Sequence, residues 1–303
     1  MKRIYLFLIL TLAGVHSLLG QSHLEKISRE FAFEKKSPDN ALIIANINGD
    51  VKVTSYEGEK VIVEVTKTIR AKTDARLEKG KSEVQLGVLN DVDTLVLYVE
   101  GTCISFGKVN RRNKSDHRWD KNGKYSYDWN SCNYNRGCRE EYDYTMDFVV
   151  KVPASLNIAV STVNDGDVVV ENVKGSVIAN NINGSIKLTN LAREADASTI
   201  NGDLDVTYSK NPDKPCRFYS LNGDINAIFQ KGLAANLSFE SFNGDFYTDI
   251  QPLEALPVKV EKTEEGDGIK YKVNGNRYKI RTGGALLDFE TFNGNVYLKE
   301  NTN

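Results

Sequence analysis

Histidine, cysteine and a recurring aspartate are the side chains of this sequence whose types and spacing could do chemistry. The 303-residue chain has three histidines, His16, His23 and His117. Zinc centres and Ser-His-Asp triads need imidazole held in defined geometry. With His16 inside an apolar N-terminal run and His23 in a polar leader, either would rest on His117 alone. Cys132 and Cys138, with five residues between them, lack zinc-ribbon spacing. Asp50, Asp203, Asp224 and Asp245 each follow an Asn-Gly pair and would line one edge if those pairs stack. Such a row could offer oxygen ligands to Ca²⁺, and paired acids on a β-helix face occur in polysaccharide lyases and hydrolases. The ordinary role of aspartate beside Asn-Gly is a solvated turn. The sequence contains no G-x-S-x-G, H-E-x-x-H, Walker or dinucleotide fingerprint. These residues therefore point to a non-enzymatic protein, with no catalytic residue, cofactor or metal site assigned.

Binding chemistry is concentrated elsewhere. Between Cys103 and Glu141 aliphatic residues thin out, and both tryptophans of the chain, Trp119 and Trp129, lie here with Tyr125, Tyr127 and Tyr134. Arg111, Arg112 and Arg118 belong to a basic cluster in the same stretch. Aromatics with a polar handle, and arginine, dominate binding hot spots. Long excursions from compact domains are usually functional or disordered. Two roles compete: a recognition loop for a glycan or protein partner, and a surface excursion whose aromatics pack on the body. The basic cluster could meet an anionic polymer, or be a solvated face.

The elements that must position these residues are set by one returning phrase. It reads TINGDLDV at Thr199–Val206, SLNGDINA at Ser220–Ala227, SFNGDFYT at Ser241–Thr248 and TFNGNVYL at Thr291–Leu298. Earlier copies are NINGDVKV at Asn46–Val53, NINGSIKL at Asn181–Leu188 and a looser NDGDVVV at Asn164–Val170. Asn183, Asn201, Asn222 and Asn243 are spaced by 18, 21 and 21 residues. Asn-Gly tolerates positive φ and marks sharp turns, either hairpin loops or the corners of stacked coils. The near-constant period favours a parallel β-helix, or β-solenoid, because stacked coils forbid the loop variation that hairpins allow. The turns are then Asn48-Gly49, Asn183-Gly184, Asn201-Gly202, Asn222-Gly223, Asn243-Gly244 and Asn293-Gly294. Gly202, Gly223 and Gly244 are expected at positive φ. Ile200, Leu204, Val206, Leu221, Ile225, Phe242 and Phe246 are the expected core.

Residues 1–20 have Lys2-Arg3, the apolar run Ile4–Val15 and small residues near Gly20, the pattern of a cleaved signal peptide. Gln21 stands where a lipoprotein signal needs cysteine. Cleavage would remove two of the 39 basic residues and none of the 41 acids, taking the formal charge from −2 to −4. No global positive field attracts nucleic acid. No later segment is long and apolar enough to span a bilayer. Export to the periplasm, cell surface or medium makes disulfides the default for Cys103, Cys132, Cys138 and Cys216. Four cysteines allow three pairings. Cys132–Cys138 with Cys103–Cys216 is favoured by proximity, and Cys103–Cys138 is the competitor. The chain then divides into a β-rich first half over 21–154, with a leader at Gln21–Lys36, a helix or loop at Arg70–Gly80 and the excursion 103–141, and a regular solenoid over 155–303. A hairpin around Asn274-Gly275 is expected to cap it, and TGGALLDFETFNGNVYL to supply the closing coil.

The TINGDLDV and SFNGDFYT phrase and the ending YKIRTGGALLDFETFNGNVYLKE, behind a signal peptide, resemble the bacterial putative-adhesin family of exported β-helix proteins. The likeness covers roughly Ala41–Lys299 and is best from Ser155. It implies a parallel β-helix at the cell envelope, binding a surface glycan or envelope protein, with no family catalytic residues to carry over. A carbohydrate-active enzyme on the same fold, or an envelope sensor, is the alternative.

Overall fold

The computed structural model describes residues 20–101, 104–108, 127–131, 141–265, 268–274 and 276–301. The chain opens with β1 (Gln21–Phe31), β2 (Ala41–Ala45), β3 (Val51–Tyr56) and β4 (Val61–Ala71). Helix α1 (Asp74–Glu83) leads to β5 (Gln85–Asn90), β6 (Thr94–Glu100), β7 (Ile104–Lys108), β8 (Tyr127–Ser131) and β9 (Asp143–Pro153). Short strands then alternate: β10 (Asn157–Ser161), β11 (Val168–Glu171), β12 (Val177–Asn180), β13 (Ile186–Leu191), β14 (Ala195–Asn201) and β15 (Leu204–Tyr208). The series goes on through β16 (Cys216–Asn222), β17 (Ile225–Phe229), β18 (Ala235–Asn243) and β19 (Phe246–Thr248). After β20 (Leu253–Ala255), β21 (Lys259–Glu265), β22 (Gly268–Asn274) and β23 (Arg277–Ile280), it ends with β24 (Ala285–Asn293) and β25 (Val296–Glu300).

The fold is all-β and solenoid-like. One sheet runs β1-β4-β9-β3-β11-β13-β15-β17-β25-β19, the other β20-β23-β18-β24-β16-β14-β12-β10-β2-β6-β5. Each coil gives one strand to each sheet, and successive coils pair in parallel. Alternation along every strand sends one side chain in two between the sheets. Val51, Val168, Ile186, Leu204, Ile225 and Val296 thus form one buried inward column. Phe218 and Phe289 stack in the interior with centroids 5.2 Å apart. Each fully buried aliphatic or aromatic side chain contributes about 2 kcal/mol.

Antiparallel strands close the ends. β4 pairs with β9 and β1 with β4, while β5 pairs with β6. Thr73 caps α1 by accepting the Arg76 N–H, and Gly80 lets the helix press on Ile69 and Tyr142. At the other end β23 lies antiparallel on β18, and β20 on β23.

Several expectations are corrected. The leader at Gln21–Lys36 contains a strand, β1, with His23 opposite Ile69. The hairpin pairs β21 with β22 rather than β22 with β23, because β23 lies antiparallel on β18 and β20. The closing coil is internal: β24 lies between β16 and β18, and β25 between β17 and β19. Leu204, Val206 and Ile225 are core, whereas Ile200 and Phe242 face outward and Leu221 and Phe246 are half-buried. The residue before each Asn is one step out of phase with the inward side chains, so it faces solvent. Gly202, Gly223 and Gly244 are not at positive φ, although Gly49 is, at 109°. Left-handed backbone falls also on Asp165, in the corner of the looser copy, and on Asn172 and Asn190, at the far edge of the coils. Cys216 is a buried free thiol bonded to Tyr208, against the expected pairing with Cys103. Its place as the first inward residue of β16 explains the burial. Cys103, Cys132 and Cys138, like residues 1–19 of the expected signal peptide 1–20, lie outside the described residues.

Candidate recognition edge

Where the chain passes from one sheet to the other, the phrase resolves into five positions with separate duties. The first is a buried Ser, Thr or Asn that donates to the glycine carbonyl of the coil before it. Thr162 donates to Gly49, Asn181 to Gly166, Thr199 to Gly184 and Ser220 to Gly202, all at 2.8–2.9 Å. The second is the outward apolar residue. The third is the asparagine, whose Nδ2 donates to the Oδ1 of its counterpart one coil back. This ladder runs unbroken from Asn243 through Asn293, Asn222, Asn201, Asn183 and Asn164 to Asn48. The fourth is glycine, and the fifth an Asp, Asn or Ser. Asp50 Oδ1 accepts the Asp167 N–H at 2.8 Å, Asp203 that of Asp224 at 2.9 Å, and Asp224 that of Asn295 at 2.7 Å.

Closeness explains the glycine. A Cβ on Gly223 would lie 2.1 Å from the Gly202 carbonyl oxygen, and one on Gly202 2.3 Å from that of Gly184. The repeating acids Asp50, Asp203 and Asp224 are thus occupied in joining coils. Among the described residues no group of three His, Cys, Asp or Glu is placed to hold a metal ion.

Because the polar groups of the corner are used between coils, its outward surface is left to the second position. Ile182, Ile200, Leu221, Phe292 and Phe242 follow one another in stack order, and the last is 74% exposed. Phe242 lies on Phe292 with centroids 4.8 Å apart and planes at 5°. On the other side of the corner Tyr247 lies on Tyr297 at 5.1 Å and 11°. Both separations match the spacing of neighbouring strands, so the rings stack along the solenoid axis.

The coil formed by β6 and β9 lacks the phrase. Its strands register with β2 and β3, so the chain departs near the level where the next coil turns through Asn48-Gly49. Asn46 bonds both the Gly49 and Met146 carbonyls there, at 2.9 and 2.8 Å. The departing chain forms the β7–β8 hairpin. Phe106 of β7 is buried in an outward-facing apolar cluster with Ala41, Ile43, Ala45, Val96 and Ala159, and its ring meets Tyr98. That packing is why β2 and β10 are buried on both faces. Tyr127 and Trp129 lie on β8. Arg111, Arg112, Arg118, Trp119, Tyr125, Tyr134 and His117 lie outside the described residues. Sequence reasoning missed Phe292, Tyr297 and Tyr247 as surface residues. Their signal was the aromatic replacement of Ile or Leu before Asn-Gly, and of Asp or Asn four residues after Asn, in the last two copies alone.

One buried charge lies apart from this edge. The Lys67 ammonium, 1% exposed, is held by Glu25 at 2.7 Å and by the Val84 carbonyl at 3.0 Å. Its hydrogen bond holds the Glu25 carboxyl below the usual range.

Residues 148–282 match the family model described as Toastrack DUF4097. Among solved structures, a putative cell adhesion protein from Clostridium sporogenes ATCC 15579 is similar with a TM-score of 0.42 and 10% identity, covering 92% of this chain and 100% of its own. A putative adhesin from Bacteroides fragilis NCTC 9343 has a TM-score of 0.35 and 12% identity, covering 91% and 97%. No curated protein matches. The match runs from Phe148 of β9 to Thr282 beyond β23, and it supports the putative-adhesin type of unknown function that the Asn-Gly phrase resembles.

Proposed function

We propose that this is an exported, non-enzymatic, adhesin-like envelope protein, a scaffold or binding module for surface glycans or protein partners. The observation that carries the proposal is the division of labour at the corner. Its polar side chains are spent on joining coils, and an outward apolar row remains along the edge. Exposed apolar rows on a polar surface mark interaction sites. The excursion supplies recognition through Trp119, Trp129, Tyr125, Tyr127, Tyr134 and the arginines 111, 112 and 118, with the stack as a rigid support. The N-terminal Lys-Arg and apolar run support export to the periplasm, the cell surface or the medium. Among the described residues no helix is long and apolar enough to cross a membrane.

The test is a glycan array together with capture from envelope extracts, using the chain from Gln21 onward and its Trp119→Ala, Trp129→Ala variant. A ligand bound by the first and lost at least tenfold by the second is expected. Equal binding by both would remove recognition from the excursion. Failure of the parent chain on both assays would remove the binding-module proposal.

A further inference from the structure

Among the described residues the corner edge ends openly at the β18–β19 coil. β19 is the last strand of its sheet, and β23 pairs with β18 only over Ala235–Ser238, well before the Asn-Gly pair. What this end presents follows from the direction of the ladders. Every ladder asparagine donates toward the preceding coil, so Asn243 gives its Nδ2 to Asn293 at 2.9 Å and turns Oδ1 to the open end. Every fifth-position carboxylate accepts from the following coil, and for Asp245 no following coil exists among the described residues. Tyr247 donates its hydroxyl to Asp245 Oδ2 at 3.3 Å, which orients the carboxylate. On either side stand the outermost rings of the two aromatic stacks, Phe242 at 74% and Tyr247 at 48% exposure.

We propose that this end binds a neutral polysaccharide, with Phe242 and Tyr247 as stacking platforms and Asn243 and Asp245 as acceptors for sugar hydroxyls. The site rests on the surface-binding role argued above but uses none of the excursion residues. A pyranose ring has apolar C–H faces and a rim of hydroxyl donors. The end rung matches it with two ring faces and, between them, groups that accept. Aromatics occupy these positions only in the last two coils; the two before have Ile200 and Leu221, and Asp205 and Asn226. Charge selects the class of glycan, because Asp245, one rung beyond Asn295 and two beyond Asp224, repels an anionic polymer. A second copy docked end to end would set carboxylate against carboxylate and Asn oxygen against Asn oxygen. The three residues of β19 are too few for an added peptide strand to gain a useful ladder.

Affinity electrophoresis tests this with the chain from Gln21 onward, in gels containing soluble β-glucan, galactomannan, xylan, α-mannan or dextran, and in gels containing alginate or heparin. At least one neutral polymer is expected to retard the protein. Phe242→Ala with Tyr247→Ala should weaken that retardation at least tenfold, whereas Tyr247→Phe, which keeps the ring, and Trp119→Ala with Trp129→Ala should retain it. Circular dichroism and the urea midpoint should be unchanged in the double variant, both side chains being exposed. Retardation by no neutral polymer, by anionic polymers alone, or equally for parent and Phe242→Ala, Tyr247→Ala would overturn the proposal. Loss in the tryptophan variant alone would overturn this site and leave the excursion as the binding surface. A parent dimer in sedimentation that Phe242→Ala, Tyr247→Ala dissociates, without polysaccharide retardation, would assign the end to self-association and also overturn it.

Discussion

At the scale of residues, the corner glycines are required by their neighbours rather than by their own dihedral angles. In place of a Cβ, Gly223 has the carbonyl oxygen of Gly202, and a backbone oxygen inside a stacked ladder has nowhere to move. Gly223→Ala is therefore expected to cost about 2 kcal/mol or more, the range of core overpacking. Gly232 is the contrast: its φ is +87° but nothing lies within 4 Å of a Cβ, so Gly232→Ala should cost only about 1 kcal/mol of backbone strain. Urea midpoints of the two variants compare them directly, and equal costs would contradict the packing explanation. The recurrence of Asn-Gly was legible in the sequence; the reason for glycine was not, since the oxygen it avoids belongs to another coil. The parity of Ile200 and Phe242 was hidden likewise. Alternation gives a strand two faces without saying which is inward, and the buried Thr199 and half-buried Ser241 positions look polar in the sequence.

At the scale of elements, β1 is held to the first end of the stack by a buried charge. Its half-buried side includes His23, Glu25 and Ile27, too little apolar surface to signal a strand beforehand; the partner β4 supplies the rest. Glu25 is ionised more readily in the folded chain than in the unfolded one, because it bonds the Lys67 ammonium. A carboxyl with a depressed folded pKa stabilises above its unfolded value, and that stabilisation disappears as pH falls through the folded one. Acidification below the ordinary carboxylate range should thus selectively loosen β1, while Glu25→Gln should be looser at neutral pH and change less on acidification. Amide exchange in β1, corrected for intrinsic rates, separates the two; parallel pH profiles would refute the coupling. The excursion is a second such element. Phe106 closes an apolar cluster on the outer face of β2, so Phe106→Ala should cost about 3 kcal/mol. Replacing Lys108–Gly137 by a Gly-Ser linker keeps Phe106 and should leave the melting temperature within a few degrees. A large fall would mean that the excursion's remaining aromatics also cover the body.

At the scale of the whole molecule, sequence order and stacking order disagree, and side chains explain why. The period and the parallel stack were legible from the spacing of the Asn-Gly pairs, but the copies are too alike for spacing to give their order. The inward residues distinguish them. β25 turns Val296 and Leu298 inward and both are fully buried, whereas β19 turns Phe246 and Thr248 inward and both remain half-exposed. The more apolar coil takes the interior place and the other becomes the end. Arg281 fixes the arrangement from outside: it bonds Glu300 at 2.7 and 2.9 Å, and Glu300 accepts the Leu233 N–H at 2.8 Å. The β24–β25 coil, later in sequence than both neighbours, must therefore insert between β16–β17 and β18–β19. A chain ending at Gly284 would lose an internal rung, including the Phe289 ring that stacks on Phe218, instead of shedding a terminal one. Limited proteolysis of that truncation should cut throughout Ala235–Ile280 while sparing Asn157–Tyr208, where each coil keeps its own neighbours. If Ala235–Ile280 stayed protected, β18–β19 would be docking directly on β16–β17, and the fit of Val296 and Leu298 would not be what orders the stack.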